Sequence, residues 1–223
     1  LLKNPNDERL KDTDFGSYTQ EKFEKDLLNF NDGRSLSHEQ KILVSKSLET
    51  IKWLSSHNVK FEPIYSRQSF LKNGKHIFWG GLTLASQNEG VGLFDQELAA
   101  FLALGGKIFY KSPVTNLFYE AGEVKGVYVN GEKVIADSVI LASGGFEAND
   151  ELRKSYIGNN WLKAKVRGTP HNTGDGLKMA LEIGAVKHGL YDGCHATPMD
   201  LYMKNYGGLD LEPSERKNYR KIC

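Results

Sequence analysis

Residues Val134 to Gly184 read VIADSVILASGGFEANDELRKSYIGNNWLKAKVRGTPHNTGDGLKMALEIG, and this stretch decides the fold. An apolar run, Val139-Ile140-Leu141-Ala142, stops at Ser143-Gly144-Gly145, and further on Thr173-Gly174-Asp175-Gly176 opens a short helix that Gly184 closes. The spacing predicts a strand from Ser138 to Ala142, apolar throughout and so buried on both faces. Two residues without side chains end it, and glycines there let a planar or phosphorylated ligand approach the backbone closely. A helix start carries unpaired N–H groups and partial positive charge, which suits phosphate or carboxylate. Asp175 taken alone reads as a helix N-cap. With Thr173, Gly174 and Gly176 around it and the strand end before it, the reading moves to a ligand contact.

Upstream of this stretch lies a run of short strands: Ile108-Phe109-Tyr110, then Val114 to Glu120, then Val124 to Val129. Ala121-Gly122 joins the last two, and Asn130-Gly131 turns the chain into Val134-Ile135-Ala136. Before them a helix is expected from Leu93 to Leu104, with Phe94, Leu98, Phe101 and Leu102 as its core face and Gly105-Gly106 at its end. Gly90-Val91-Gly92 leads into it. The third position of a dinucleotide fingerprint is Asp95 here and no strand is expected before it, so that fingerprint is rejected. Earlier still, Gln68 to Trp79 reads as a hairpin on Asn73-Gly74, and Val59-Lys60-Phe61 as a short strand. Gly80-Gly81 reads as a flexible loop ahead of a ligand contact. A helix to about Ser56 starts at the capping box Ser37-His38-Glu39-Gln40, with Val44, Leu48, Ile51 and Leu54 as a core stripe. Thr19 to Phe30 is helical, Asp32-Gly33 ends it, and Leu1 to Gly16 is a polar, irregular lead-in.

This order points to an α/β chain with α+β elements: a mainly parallel sheet and an antiparallel meander. The 223 residues suffice for one large domain or one and a part. A net charge of +1 gives no reason to expect nucleic acid or a membrane surface, and no segment nears the length of a bilayer span. Two cysteines, Cys194 and Cys223, make no disulfide framework, and no cluster has metal-ligand spacing. Tyr191 stands where haem attachment before Cys194-His195 needs a cysteine, so haem is excluded. With no leader visible, a cytoplasmic location is expected.

The helix at Leu93 to Leu104, the meander, Leu141-Ala142-Ser143-Gly144-Gly145-Phe146 and Asn172-Thr173-Gly174-Asp175-Gly176 follow one another as in fumarate reductase and succinate dehydrogenase flavoproteins, which the chain resembles from about Thr19 onward. Gly145-Phe146-Glu147-Ala148-Asn149, Ala164-Lys165-Val166-Arg167-Gly168-Thr169 and Asp192-Gly193-Cys194-His195-Ala196 resemble the tricarballylate dehydrogenase branch. The resemblance implies FAD and a Rossmann-like FAD-binding domain over residues 1–187, with a substrate-capping domain starting at 188–223. It implies that Asp175, within Thr173 to Gly176, contacts FAD. Val114 would meet the adenine end through its backbone, and Gly144 and Gly145 would line the cofactor channel. His195 would hold a substrate carboxylate. The implied reaction takes a polycarboxylate, tricarballylate, to cis-aconitate: a base removes a proton while a hydride leaves the neighbouring carbon for the flavin. An electron-acceptor protein or a quinone would reoxidise it.

The family's glycine fingerprint and its proton-transfer arginine are expected before Leu1 and after Cys223, so the chain alone would be inactive. A non-catalytic remnant or assembly module is the alternative from another class, and a dicarboxylate or ketosteroid dehydrogenase the alternative within enzymes. Taken alone, His195 reads more readily as structural, and its placement in Gly193-Cys194-His195-Ala196-Thr197 brings the substrate role level with that; Arg167 is as readily a surface charge, and His171 is open between ligand and solvent. The tail from Glu212 to Lys221 reads as solvated surface.

Overall fold

The computed structural model describes residues 7–8, 11–31, 33–196, 198 and 201–202. The chain forms two compact units, Leu1–Ile108 and Phe109–Cys223.

In the first unit, helix α1 (Gln20–Phe30) starts where the Thr19 hydroxyl accepts the Lys22 N–H. Asp26 accepts the Tyr18 hydroxyl at 2.6 Å, and that bond pushes the phenol up to about 12. Helix α2 (His38–Ser56) has the expected capping box: Ser37 Oγ accepts the Gln40 N–H at 3.2 Å, and Gln40 Oε1 accepts the Ser37 N–H at 3.0 Å. Such a cap contributes about 1 kcal/mol. Strand β1 (Thr13–Asp14) runs parallel to β4 (Lys75–Phe78), so the lead-in is partly ordered rather than irregular throughout. Strand β2 (Phe61–Pro63) and the short helix α3 (Tyr65–Gln68) precede β3 (Ser69–Lys72), which pairs antiparallel with β4. Their turn has φ of 51° at Asn73 and 76° at Gly74, the double left-handed geometry that Asn-Gly favours. Phe78 is buried, its ring 5.0 Å from Phe15 and 5.5 Å from Tyr65.

Gly81 has φ +91°, and a Cβ there would lie 2.5 Å from Tyr18 Cβ, so the packing of the chain itself accounts for this glycine. Strand β5 (Leu84–Ser86) pairs antiparallel with β2, so a strand does precede Gly90-Val91-Gly92, contrary to expectation. Helix α4 runs Glu89–Ala103 and takes those glycines into its first turn. A Cβ at Gly92 would run into the Gln87 carbonyl oxygen.

The second unit opens with the expected meander: β6 (Val114–Glu120), β7 (Glu123–Val129) and β8 (Glu132–Ile135), antiparallel throughout. Left-handed pairs, Ala121-Gly122 and Asn130-Gly131, make both turns. The register leaves Lys125 without an opposite residue, a bulge beside Gly126 that sharpens the local twist. Helix α5 (Asp150–Tyr156), a 3-10 helix (Asn159–Lys163) and α6 (Asp175–Glu182) follow. Helix α6 packs on β6, where Asn116 Nδ2 donates to Glu182 Oε2 at 3.4 Å. Leu117, Val166 and Met179 are buried here, as Val44, Val59 and Phe78 are in the first unit.

The mixed α/β class and the antiparallel meander stand, and four expectations need correction. Ser138 to Ala142 is not a strand, and Ile140 is 89% exposed. A doubly buried strand needs a neighbour on each edge and a layer on each face, and the described residues supply neither. Ile108-Phe109-Tyr110 is likewise not a strand. Leu48 on α2, and Phe94, Phe101 and Leu102 on α4, are exposed, so those apolar faces lack a covering layer among the described residues. Of the described strand pairs only β1 with β4 is parallel, so the sheets are not mainly parallel.

Candidate functional site

Residues 143–149 and 171–176 are laced together by backbone and side-chain bonds. The Gly174 N–H donates to Gly145 O at 3.0 Å, and the Ala148 N–H to Asn172 O at 3.0 Å. Asn149 serves both sides: its Oδ1 caps α5 by accepting the Leu152 N–H, and its Nδ2 donates to Thr173 O at 2.9 Å. Asn172 Nδ2 donates to Glu147 Oε1. The glycines make this closeness possible. A Cβ at Gly144 (φ +78°) would stand 2.5 Å from Asn172 Oδ1, and one at Gly174 (φ +80°) 2.6 Å from Leu152 Cδ1 and 3.1 Å from Phe146 Cβ. Gly176 leaves room for Ser143 Oγ, which accepts its N–H at 3.2 Å.

The start of α6 therefore differs from the expected anion seat. Gly174 is the N-cap residue, Asp175 is the first helical residue, and Ser143 already occupies the Gly176 N–H. A carboxylate in the first turn itself answers the helix dipole, which disfavours a second negative group. Asp175 is exposed, and the Thr173 hydroxyl donates to its Oδ2 at 2.9 Å. An ionised carboxylate only accepts, so this edge suits a hydroxyl or N–H of a ligand, not its phosphate.

Gly144, Gly145, Thr173, Gly174, Asp175 and Gly176 are thus brought together. Val114 is set apart: it begins β6 two residues before Asn116, which meets Glu182 at the far end of α6, about 10 Å along the helix from Asp175. His171, Arg167 and His195 are all exposed. Thr197, most of 188–223 and the tail from Glu212 to Lys221 include or lie among residues outside those described. Ser143, Asn149 and Asn172 carry the lacing and were given no role in the sequence reading. Asn149 had a legible signal, since Asp150-Glu151 after it mark a helix start.

The sequence profile of a family described as an FAD binding domain matches residues 11–207. The chain belongs to this family. FAD is accordingly the cofactor of this FAD binding domain, and the acceptor edge at Asp175 fits the hydroxyl and N–H groups that FAD carries. The NADH:acrylate oxidoreductase of Vibrio harveyi is 29% identical over 154 residues, 64% of this chain and 15% of that protein. The 3-oxosteroid 1-dehydrogenase of Mycolicibacterium smegmatis is 34% identical over 134 residues, 52% of this chain and 22% of that protein. The chain thus covers about a fifth or less of the length of these relatives. Its fold is similar to that of a flavocytochrome c3 fumarate reductase in an open conformation, with a TM-score of 0.59 and 23% identity over 76% of this chain and 30% of that one. Among its described residues no helix is long and apolar enough to cross a membrane.

Proposed function

We propose that this chain is the cofactor-holding part of a cytoplasmic FAD-dependent oxidoreductase that oxidises a carbon–carbon bond of a polycarboxylate, tricarballylate to cis-aconitate. The laced 143–149 and 171–176 segments, with the Thr173-braced carboxylate of Asp175 exposed at their edge, carry this reading. FAD supplies, when bound, a hydride acceptor that no side chain can provide. Asp175 accepts from an FAD hydroxyl or N–H, Gly144 and Gly145 keep the loop that follows Ser143 low beside the cofactor, and Val114 offers its backbone to the adenine end. His195 donates a ring N–H to a substrate carboxylate. Residues 1–187 serve the cofactor, and from His188 the chain enters a substrate-capping domain. An electron-acceptor protein or a quinone takes the electrons away. The V. harveyi relative, by name, acts on acrylate, a small unsaturated carboxylate, which supports an acid as the substrate. The M. smegmatis relative favours a second reading, a ketosteroid-type dehydrogenase, and a succinate-type enzyme is its carboxylate counterpart.

Anaerobic addition of tricarballylate, succinate and a 3-ketosteroid, each separately, to the oxidised full-length protein tests this. Bleaching of the flavin by tricarballylate alone is the expected result, and His195→Ala then raises the concentration for half-bleaching on the order of tenfold. Bleaching by succinate or by the steroid instead installs the corresponding reading. A purified protein with no flavin overturns the role of Asp175.

A further inference from the structure

Three rings from separate segments, with a cation from the same segment as the third, meet beside the glycine loop. Phe146 directly follows Gly144-Gly145, and its Cβ lies 3.1 Å from where a Cβ on Gly174 would be. Its ring lies nearly parallel to that of Tyr191, 9° apart in plane and 6.4 Å between centroids. Tyr156, the last residue of α5, tilts against both at 5.4 Å and 5.1 Å. Lys187 Nζ sits 4.3 Å from the centre of the Tyr156 ring and 5.8 Å from that of Tyr191. Ring pairs and a cation over a ring face attract beyond simple area burial. Between Gly184 and Ala196, Tyr191 is the one residue that is not exposed, so the segment beyond α6 turns inward there and nowhere else in that span.

We propose that Tyr191 is a positioning residue. Its ring, seated among Phe146, Tyr156 and Lys187, sets where Cys194-His195 lies relative to the loop of Gly144, Gly145 and Gly174. Four residues of extended chain reach at most about 14 Å, so a fixed Tyr191 keeps the His195 Cα within that distance of its own. The inference rests on the reading of His195 as the holder of a substrate carboxylate. It adds that the holder is aimed by a clasp built partly from the glycine loop proposed to flank the cofactor.

The test uses the full-length flavoprotein with Tyr191→Ala, Tyr191→Phe, Tyr191→Leu, His195→Ala and the Tyr191→Ala/His195→Ala double variant. Three quantities are read: bound flavin, hydrogen exchange of the 186–196 backbone, and the tricarballylate concentration giving half-maximal change in the flavin spectrum. Tyr191→Ala is expected to keep its flavin, to exchange faster over 186–196 but not over 173–184, and to bind tricarballylate on the order of tenfold more weakly. Tyr191→Phe keeps the ring and stays near wild type, and the double variant binds no more weakly than His195→Ala, because both changes act through one group. Wild-type affinity in Tyr191→Ala beside a weakened His195→Ala overturns this inference alone. So do additive losses in the double variant, or flavin loss in both Tyr191→Ala and Tyr191→Leu, which marks a purely structural ring. Unchanged affinity in His195→Ala, or a flavin that only a ketosteroid bleaches, removes the reading beneath it as well.

Discussion

The full-length protein carrying Gly174→Val is expected to purify without flavin. Gly174 has φ +80°, where a β-branched residue is strained by about 1–3 kcal/mol. A Cβ there also meets Leu152 Cδ1 at 2.6 Å and Phe146 Cβ at 3.1 Å, an overpacking of about 1–3 kcal/mol more. Both costs fall on the residue whose N–H ties the 171–176 turn to Gly145 and whose carbonyl accepts the first helical N–H, that of Lys178. A loss near 4 kcal/mol corresponds to roughly a thousandfold in cofactor affinity. The ratio of flavin to protein absorbance after gel filtration measures it. Gly184→Asn is the control: its φ is +93°, no atom lies within 4 Å of a Cβ there, and asparagine tolerates left-handed backbone. A Gly174→Val protein with full flavin would sink the idea that this turn holds the cofactor.

Gly126→Val is expected to destroy the meander. Gly126 lies at the bulge of β7 with φ +148°, opposite Phe118 on one side and Ile135 on the other. A Cβ there runs into the Val134 carbonyl oxygen, a backbone atom that cannot swing aside without unpairing β8. Strain and lost pairing together put the cost at about 4 kcal/mol or more, in the range reserved for broken backbone geometry. Urea unfolding followed by circular dichroism reads the change. An unchanged midpoint would mean that β8 detaches at little cost, and the packing described around Gly126 would be wrong.

What was legible in the sequence was local. Ser37 and Gln40 marked the start of α2, because both partners of a capping box lie within four residues. Asn73-Gly74 and Asn130-Gly131 marked their turns because those residues adopt positive φ readily. Asp175 sits in a tight turn with Thr173, Gly174 and Gly176, as their spacing suggested, but the local pattern did not show how the start of α6 is satisfied. The group that satisfies the Gly176 N–H is Ser143, distant in sequence, and no window of local pattern contains both. The same reason explains β1, whose two residues pair with β4 across intervening helices. The apolar runs erred differently. Ile140, Leu48, Phe94 and Phe101 signal a demand for burial, and hydropathy records the demand without naming the surface that meets it. Asn172, and the bracing half of Asn149's role beyond its legible helix cap, went unassigned because an amide that braces two loops has the same composition as one in any turn.

The meander has a consequence in time. Its strands are joined by two-residue turns, so its pairings close short loops, and such hairpins form in about 1–10 μs. The lacing around Asp175 joins residues 24 to 33 positions apart and must wait for a larger loss of chain entropy. The expected order of folding is therefore meander first and cofactor loop last. Pulse-labelled hydrogen exchange during refolding would show the Val127 amide protected ahead of the Gly176 amide, and the opposite order would refute it. A chain that matures in this sequence offers flavin a platform before it offers a grip, so cofactor capture becomes a closing event of folding.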